Sequence, residues 1–149
     1  MLNRAVSVLG LWLVCAAAIA GAPEQERVGL FKNVTGTIRV VRNDGAVKAA
    51  PGTELFRSDK VVSEAGASGG IVFIDGTLLT VGPATEMLLR DYAFDAKASR
   101  FAFSLYLAKG TAIYSSGKIG KLAPESVSVD TPRATVGVRG TRFMISADD

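Results

Sequence analysis

Histidine is absent from the 149 residues, and Cys15 is the only cysteine. Nucleophile–base pairs built on histidine are therefore impossible. The His and Cys clusters of typical zinc sites are absent too. Asp44 and Asp75 each precede a glycine, where turn geometry accounts for an aspartate. Nothing singles out a carboxylate pair of the glycosidase kind. The stretch Gly66 to Gly70 has neither the lysine nor the strand-to-helix setting of a phosphate loop. No catalytic residue, metal ligand or cofactor is expected.

The side chains with most binding potential are three arginines near the C-terminal end: Arg133, Arg139 and Arg142. Gly137 and Gly140 flank Val138-Arg139, a spacing that permits a positive-φ turn or a close backbone approach. A guanidinium on such a turn offers several donors to a carboxylate or to carbonyls. Arg139 then either docks a partner or anion, or clamps the turn to Asp75, Glu86 or Asp130; the clamp is the simpler reading. The three arginines form either a small basic face or ordinary solvated edge charge. Phe101 and Phe103 share one strand face and read as core. Tyr106 falls on the other face and is the better candidate for an exposed contact.

These residues need elements to hold them, and composition permits one domain. Hydrophobic residues make up 48% of the chain, enough for a core. The net charge of +3 comes from 17 basic and 14 acidic residues without a basic run. Nucleic acid is not expected as a partner. Residues 1–20 read as a signal peptide: a basic start, an apolar run and Ala18-Ile19-Ala20 as a cleavage pattern. The alternative is an uncleaved anchor, the only route to membrane contact. Either way the location implied is periplasmic. Lipidation at Cys15 is disfavoured by Val14 before it and Trp12 earlier.

Beyond the leader the pattern has period two. Val34–Arg42 reads as one strand, Asn43-Asp44-Gly45 as a hairpin turn, and Ala46–Ala49 as the return. Further strands are expected at Asp59–Ser63, Gly70–Ile74, Thr77–Val81, Thr85–Arg90, Arg100–Leu107, Thr111–Tyr114, Val127–Asp130 and Thr141–Ser146. Asp75-Gly76 is the clearest hairpin turn. Glu64–Gly70 and Asp91–Ser99 read as loops, and Lys109-Gly110 as a turn. Pro132 should end its strand. No convincing amphipathic helix follows the leader. The expected fold is all-β: one compact domain over residues 28–146, of about nine or ten short strands. It is either a β-roll or short solenoid, or a sandwich-like barrel. Gly-Thr recurs five times, but too irregularly for a firm repeat.

The run Val129-Asp130-Thr131-Pro132-Arg133-Ala134-Thr135-Val136-Gly137-Val138-Arg139-Gly140-Thr141-Arg142-Phe143 resembles the closing motif of the FecR domain. Ile74-Asp75-Gly76-Thr77-Leu78 and Val81-Gly82-Pro83-Ala84-Thr85-Glu86 resemble its central hairpin. Gly52-Thr53-Glu54-Leu55 and Asp59-Lys60-Val61-Val62 fit its opening strands, so the likeness runs from Val28 to Ile145. The resemblance implies a periplasmic, β-rich module of cell-surface signalling, where an inner-membrane regulator hears an outer-membrane transporter. It points to Thr131, Pro132, Gly137, Arg139, Gly140, Thr141 and Phe143 as the structural or partner-binding motif, with Asp75 and Gly76 as the central turn. Only Met1 to Arg4 precede the apolar run, so no anti-sigma segment is expected. The chain also stops soon after the closing motif, so a stand-alone domain is expected. The functional expectation is a non-catalytic module that binds an envelope or periplasmic protein or senses a signal. The alternatives are a structural or peptidoglycan-associated envelope protein, or a truncated regulator.

Overall fold

The computed structural model describes residue 21 and residues 25–138 and 140–148. The export leader expected at residues 1–20 and Arg139 lie outside the described residues. Among the described residues no helix is long and apolar enough to cross a membrane.

Twelve strands form one sheet. They are β1 (Arg27–Thr35), β2 (Ile38–Arg42), β3 (Gly45–Lys48), β4 (Glu54–Phe56), β5 (Lys60–Ser63), β6 (Ser68–Phe73), β7 (Leu78–Val81), β8 (Glu86–Asp95), β9 (Arg100–Ser115), β10 (Val127–Asp130), β11 (Thr135–Gly137) and β12 (Arg142–Ala147). A short helix, α1 (Lys118–Leu122), and a 3-10 turn at Pro124–Ser126 join β9 to β10. The main path runs β3-β2-β5-β8-β9-β7-β6-β1-β4, with β10, β11 and β12 added off it. Every pairing is antiparallel except β9 with β10.

Strand β9 is the spine. Its first ten residues pair with β8, and Val127–Asp130 joins on the other side. Its last six pair with β12, and Ala112–Ser115 also with β7. Between these stretches stands Gly110, with φ +92°. A Cβ there would lie 2.7 Å from Thr85 Cβ, so the bend requires glycine. The sheet curls at this point into two facing halves. The hairpin half holds β4, β1, β6, β7, the end of β9 and β12. The β8 half holds β3, β2, β5, β8, the start of β9, β10 and β11.

Alternation builds the core between the halves. Met87 and Leu89 on β8, and Phe103, Leu105 and Leu107 on β9, are buried, while their neighbours face out. Aromatic rings bridge the layers: Phe73 on β6 stacks on Tyr92 of β8 at 5.3 Å and meets Phe103 edge-on at 5.1 Å. Tyr114 continues the column, 5.4 Å from Phe103 and stacked on Phe143 at 5.0 Å. Each such pair adds roughly 0.5–1.5 kcal/mol beyond its burial.

An all-β compact domain is therefore what forms, as one curled sheet, with more strands than expected. Val34–Arg42 is not one strand: Gly36, at φ +71°, turns the chain between β1 and β2. A bulge between Phe31 and Asn33 breaks the alternation of β1, which hid it. The expected loop Asp91–Ser99 is strand as far as Asp95, and the turn begins only after it. The expected turn at Lys109-Gly110 is the bend inside β9. The Gly-Thr recurrence marks such bends and turns, not solenoid coils. Residues 118–122 are helical where no helix was foreseen; one short turn holding Gly120 has no readable period.

Candidate interaction surface

The central turn is more than backbone punctuation. Gly76 N donates to Phe73 O at 2.9 Å, and Phe73 N donates to Thr77 O at 2.9 Å. These bonds enclose a three-residue loop with Gly76 at φ +85°, a favoured hairpin geometry. The Asp75 side chain turns inward and is 2% exposed. It accepts four hydrogen bonds. Tyr92 Oη (2.8 Å) and Thr77 N (3.3 Å) bind Oδ1, while Thr77 Oγ1 (2.6 Å) and Ile119 N (3.1 Å) bind Oδ2. A buried carboxylate is tolerable only with such saturation.

Two of its donors come from distant elements. Tyr92 belongs to the other layer, so Asp75 ties β8 to the hairpin. Ile119 belongs to α1, whose own preceding residue, Gly117, has no side chain to cap it. Asp75 therefore supplies the cap from 44 residues away. Lys118 N donates to Asp75 O at 2.9 Å, and Gly117 N to Thr77 Oγ1 at 3.2 Å. A Cβ on Gly117 would lie 2.7 Å from Asp75 O, so glycine is the residue that lets the segment dock. Burial, then the bond to Asp75, pushes the Tyr92 hydroxyl well above the ordinary phenol range. Burial also raises Tyr114, whose hydroxyl is enclosed without a hydrogen-bond partner among the described residues.

The same segment reaches the closing motif. Ser116 N donates to Thr141 O at 2.8 Å, and Ser116 Oγ to Gly140 O at 3.1 Å. Residues 116–119 thus join the central turn to the closing motif, the two features singled out in the sequence. Thr131 and Pro132 open the β10–β11 turn, closed by Thr131 N to Ala134 O at 2.7 Å and by Ala134 N to Thr131 Oγ1 at 3.1 Å. Pro132 follows the end of β10, as expected. Gly140 has φ +133°. Gly137 needs neither of the reasons offered for it: its φ is not positive, and a Cβ there meets nothing within 4 Å. Phe143 is the half-buried end of the aromatic column.

Arg139 lies outside the described residues; the acids proposed as its clamps have the following partners among the described ones. Asp75 is saturated as described, Glu86 pairs with Lys60, and Asp130 pairs with Arg90 at 3.1 Å. Arg133 lies in the β10–β11 turn of the β8 half, and Arg142 starts β12 in the hairpin half, so these two do not share one sheet half. Tyr106, the expected exposed contact, is covered by the Arg90 guanidinium at 4.3 Å.

Two further polar anchors escaped the sequence. Asp59, 3% exposed at its side chain, accepts Arg42 Nε at 2.9 Å and Phe56 N at 2.9 Å. Arg42 Nη2 also donates to Glu54 O at 2.6 Å, drawing β2 toward β4. Thr85 Oγ1 accepts Thr111 N at 3.0 Å, and Thr85 N donates to Ser63 Oγ at 2.9 Å. Apart from the Phe56 amide, these partners lie 12 to 26 residues away and leave no local signature. Beside the hairpin, a cleft of about 390 Å³ is lined by Arg57, Ile74, Asp91, Tyr92, Phe94 and Arg100 among others. Its acids and bases are mixed, and Arg57 faces Asp91 at 4.0 Å, so it has no single-sign field for a charged ligand.

Fold and site together define an all-β domain whose buried polar groups serve its scaffold. The family model described as FecR protein matches residues 59–149, more than half of the chain, and the chain belongs to that family. The match opens at Asp59, the anchor of Arg42, and contains both the central hairpin and the closing motif. Residues 28–58 lie outside it, although β1 and β2 are built into the same sheet. No curated protein and no solved structure matches the chain. Membership fits a signalling-related module of a regulatory, typically envelope-associated family.

Proposed function

We propose that this chain is a non-catalytic periplasmic module that recognises an envelope protein by accepting a strand along β12. The observation that carries the reading is the difference between the sheet edges. β3 and β4 are four and three residues long, and β3 ends in Lys48. Short and charged edges resist pairing. β12 is six residues long, lacks proline and, among the described residues, is paired only with β9. Its Met144 is 69% exposed. Such an edge supports strand addition, in which main-chain bonds supply affinity and alternate side chains supply selectivity. β12 also carries Phe143 and follows Thr141, so the closing motif both anchors the strand and presents it.

A photo-crosslinking residue at Met144, in the full chain expressed in the native cell, tests the reading. The expected product is a discrete adduct with one envelope protein, absent when the crosslinker stands at Asp44. Adducts only with a second copy, or a ladder of abundant proteins, would end the proposal.

A further inference from the structure

We propose that the outer face of the hairpin half is a self-association surface, on which a second copy of this chain packs face to face about a two-fold axis. This surface is a sheet face whose margin includes Met144, whereas the β12 edge consists of that strand's main-chain groups.

The two outer faces of the sheet differ. That of the β8 half carries Val41, Val62 and Leu88, but interleaves them with paired charge: Lys60 pairs with Glu86, Arg90 pairs with Asp130, and Arg90 covers Tyr106. This is how a solvated face looks. On the hairpin half, strand register sets Glu54, Leu30, Val72, Leu78, Ser115 and Arg142 side by side in one row. A second row sets Asn33, Gly70, Thr80, Ile113 and Met144 side by side, polar at its β1 end and apolar at its β12 end. The aliphatic residues thus lie on five neighbouring strands, with Leu78 at 44% exposure and Met144 at 69%. In the first row, charge stands only at the two ends.

That row is complementary to its own reverse. A two-fold axis parallel to the strands, between β6 and β7, lays Val72 on the partner's Leu78 and Leu30 on the partner's Ser115. It lays Glu54 on the partner's Arg142. An isologous contact requires this self-complementarity, and aligned face-to-face packing of twisted sheets accommodates it. Glu54 already meets Arg27 at 3.3 Å with both half-exposed, so Arg142 joins an exposed pair rather than burying a lone charge. The face carries no aromatic residue in these rows, which argues against a sugar as its occupant.

The area sets the strength. Six strands at ~4.8 Å spacing span about 24 Å, and the two rows lie about 7 Å apart along the strands. That footprint, even with side-chain relief, is below the ~800 Å² per partner of standard interfaces. The association is therefore weak and reversible.

Sedimentation equilibrium of the purified full chain, from about 1 to 300 µM, tests this. The expected result is a monomer–dimer equilibrium. Leu78→Asp should weaken it at least tenfold without changing the far-ultraviolet spectrum or the melting temperature by more than a few degrees. Glu54→Arg and Arg142→Glu should each weaken it about fivefold, and the double reversal should return to within about twofold of the parent. A strict monomer at the highest concentration overturns the proposal. So does a dimer indifferent to Leu78→Asp, since association through the apolar N-terminal run would behave that way. If Leu78→Asp misfolds, the charge-reversal set decides alone.

Discussion

The Tyr92 hydroxyl donates to the Asp75 carboxylate at 2.8 Å and accepts the Asp75 amide at 3.1 Å. One phenol thereby satisfies a buried acceptor and a buried donor of the same residue, across two layers. Tyr92→Phe keeps the ring stacked on Phe73 but strands the Asp75 amide and leaves Asp75 Oδ1 with the Thr77 amide alone among the described residues. The expected loss is ~1–3 kcal/mol. Asp75→Ala leaves Tyr92 Oη, Thr77 Oγ1 and Ile119 N without their acceptor, and should cost more than Tyr92→Phe. Urea unfolding of the two variants, compared at equal slope, checks the order.

Alkaline stability should report the same tyrosine. In the unfolded chain the phenol titrates near ~10. In the fold, burial and Asp75 hold the Tyr92 proton well above that value, and burial also raises Tyr114. Above about pH 10 the unfolded state has therefore released protons that the native state keeps. Stability falls as pH rises, by up to ~1.4 kcal/mol per pH unit for each tyrosine, and the contribution is fully present below pH ~10. Tyr92→Phe should shallow the decline by about one tyrosine's share. Identical decline in parent and variant would show that Tyr92 titrates as it does in the unfolded chain.

Arg42 and Asp59 form the tightest ion pair at the β4 side, with side-chain exposures of 24% and 3%. Removing Arg42 leaves a buried carboxylate with only the Phe56 amide. Arg42→Ala should cost about 2–4 kcal/mol, the lower half being favoured by the partial exposure of Arg42. Arg42→Lys should recover less than half of it. A single ammonium cannot reproduce the planar donors that reach Asp59 and Glu54 O together while lying over Phe56. Thermal melts of the three proteins decide this; full rescue by lysine would mean that charge alone matters.

Much of the strand pattern was legible because half-buried strands announce themselves by alternation. β7 and the first part of β9 were read nearly to the residue. Failures cluster where the register slips. The irregularity between Leu89 and Asp91 puts Leu89 and Tyr92, three apart, on one face, and the strand then reads as a loop. Gly110 reads locally as a turn because glycine signals positive φ, and its φ is +92°; nothing local says that both flanks keep pairing. The family motif marks segments and carries no information on the contacts that each makes. Asp75 is an acid before a glycine in any local reading. Its importance depends on Tyr92 and Ile119, which only the curled sheet brings to it.

Two glycines separate scaffold from surface. At Gly117 a methyl group would press on Asp75 O and on the Thr77 amide, rigid backbone held by the hairpin. Gly117→Ala should therefore undock α1 and cost several kcal/mol or prevent folding, as overpacking does at unyielding sites. At Gly137 nothing lies within 4 Å of the added carbon, and φ is ordinary for any residue. Gly137→Ala should change stability by no more than about 0.5 kcal/mol. Melting both variants tests the pair of statements. Because Gly137 sits within the closing motif yet meets no close neighbour among the described residues, a stable Gly137→Ala chain that loses its Met144 crosslink would assign this position to the partner rather than to the sheet.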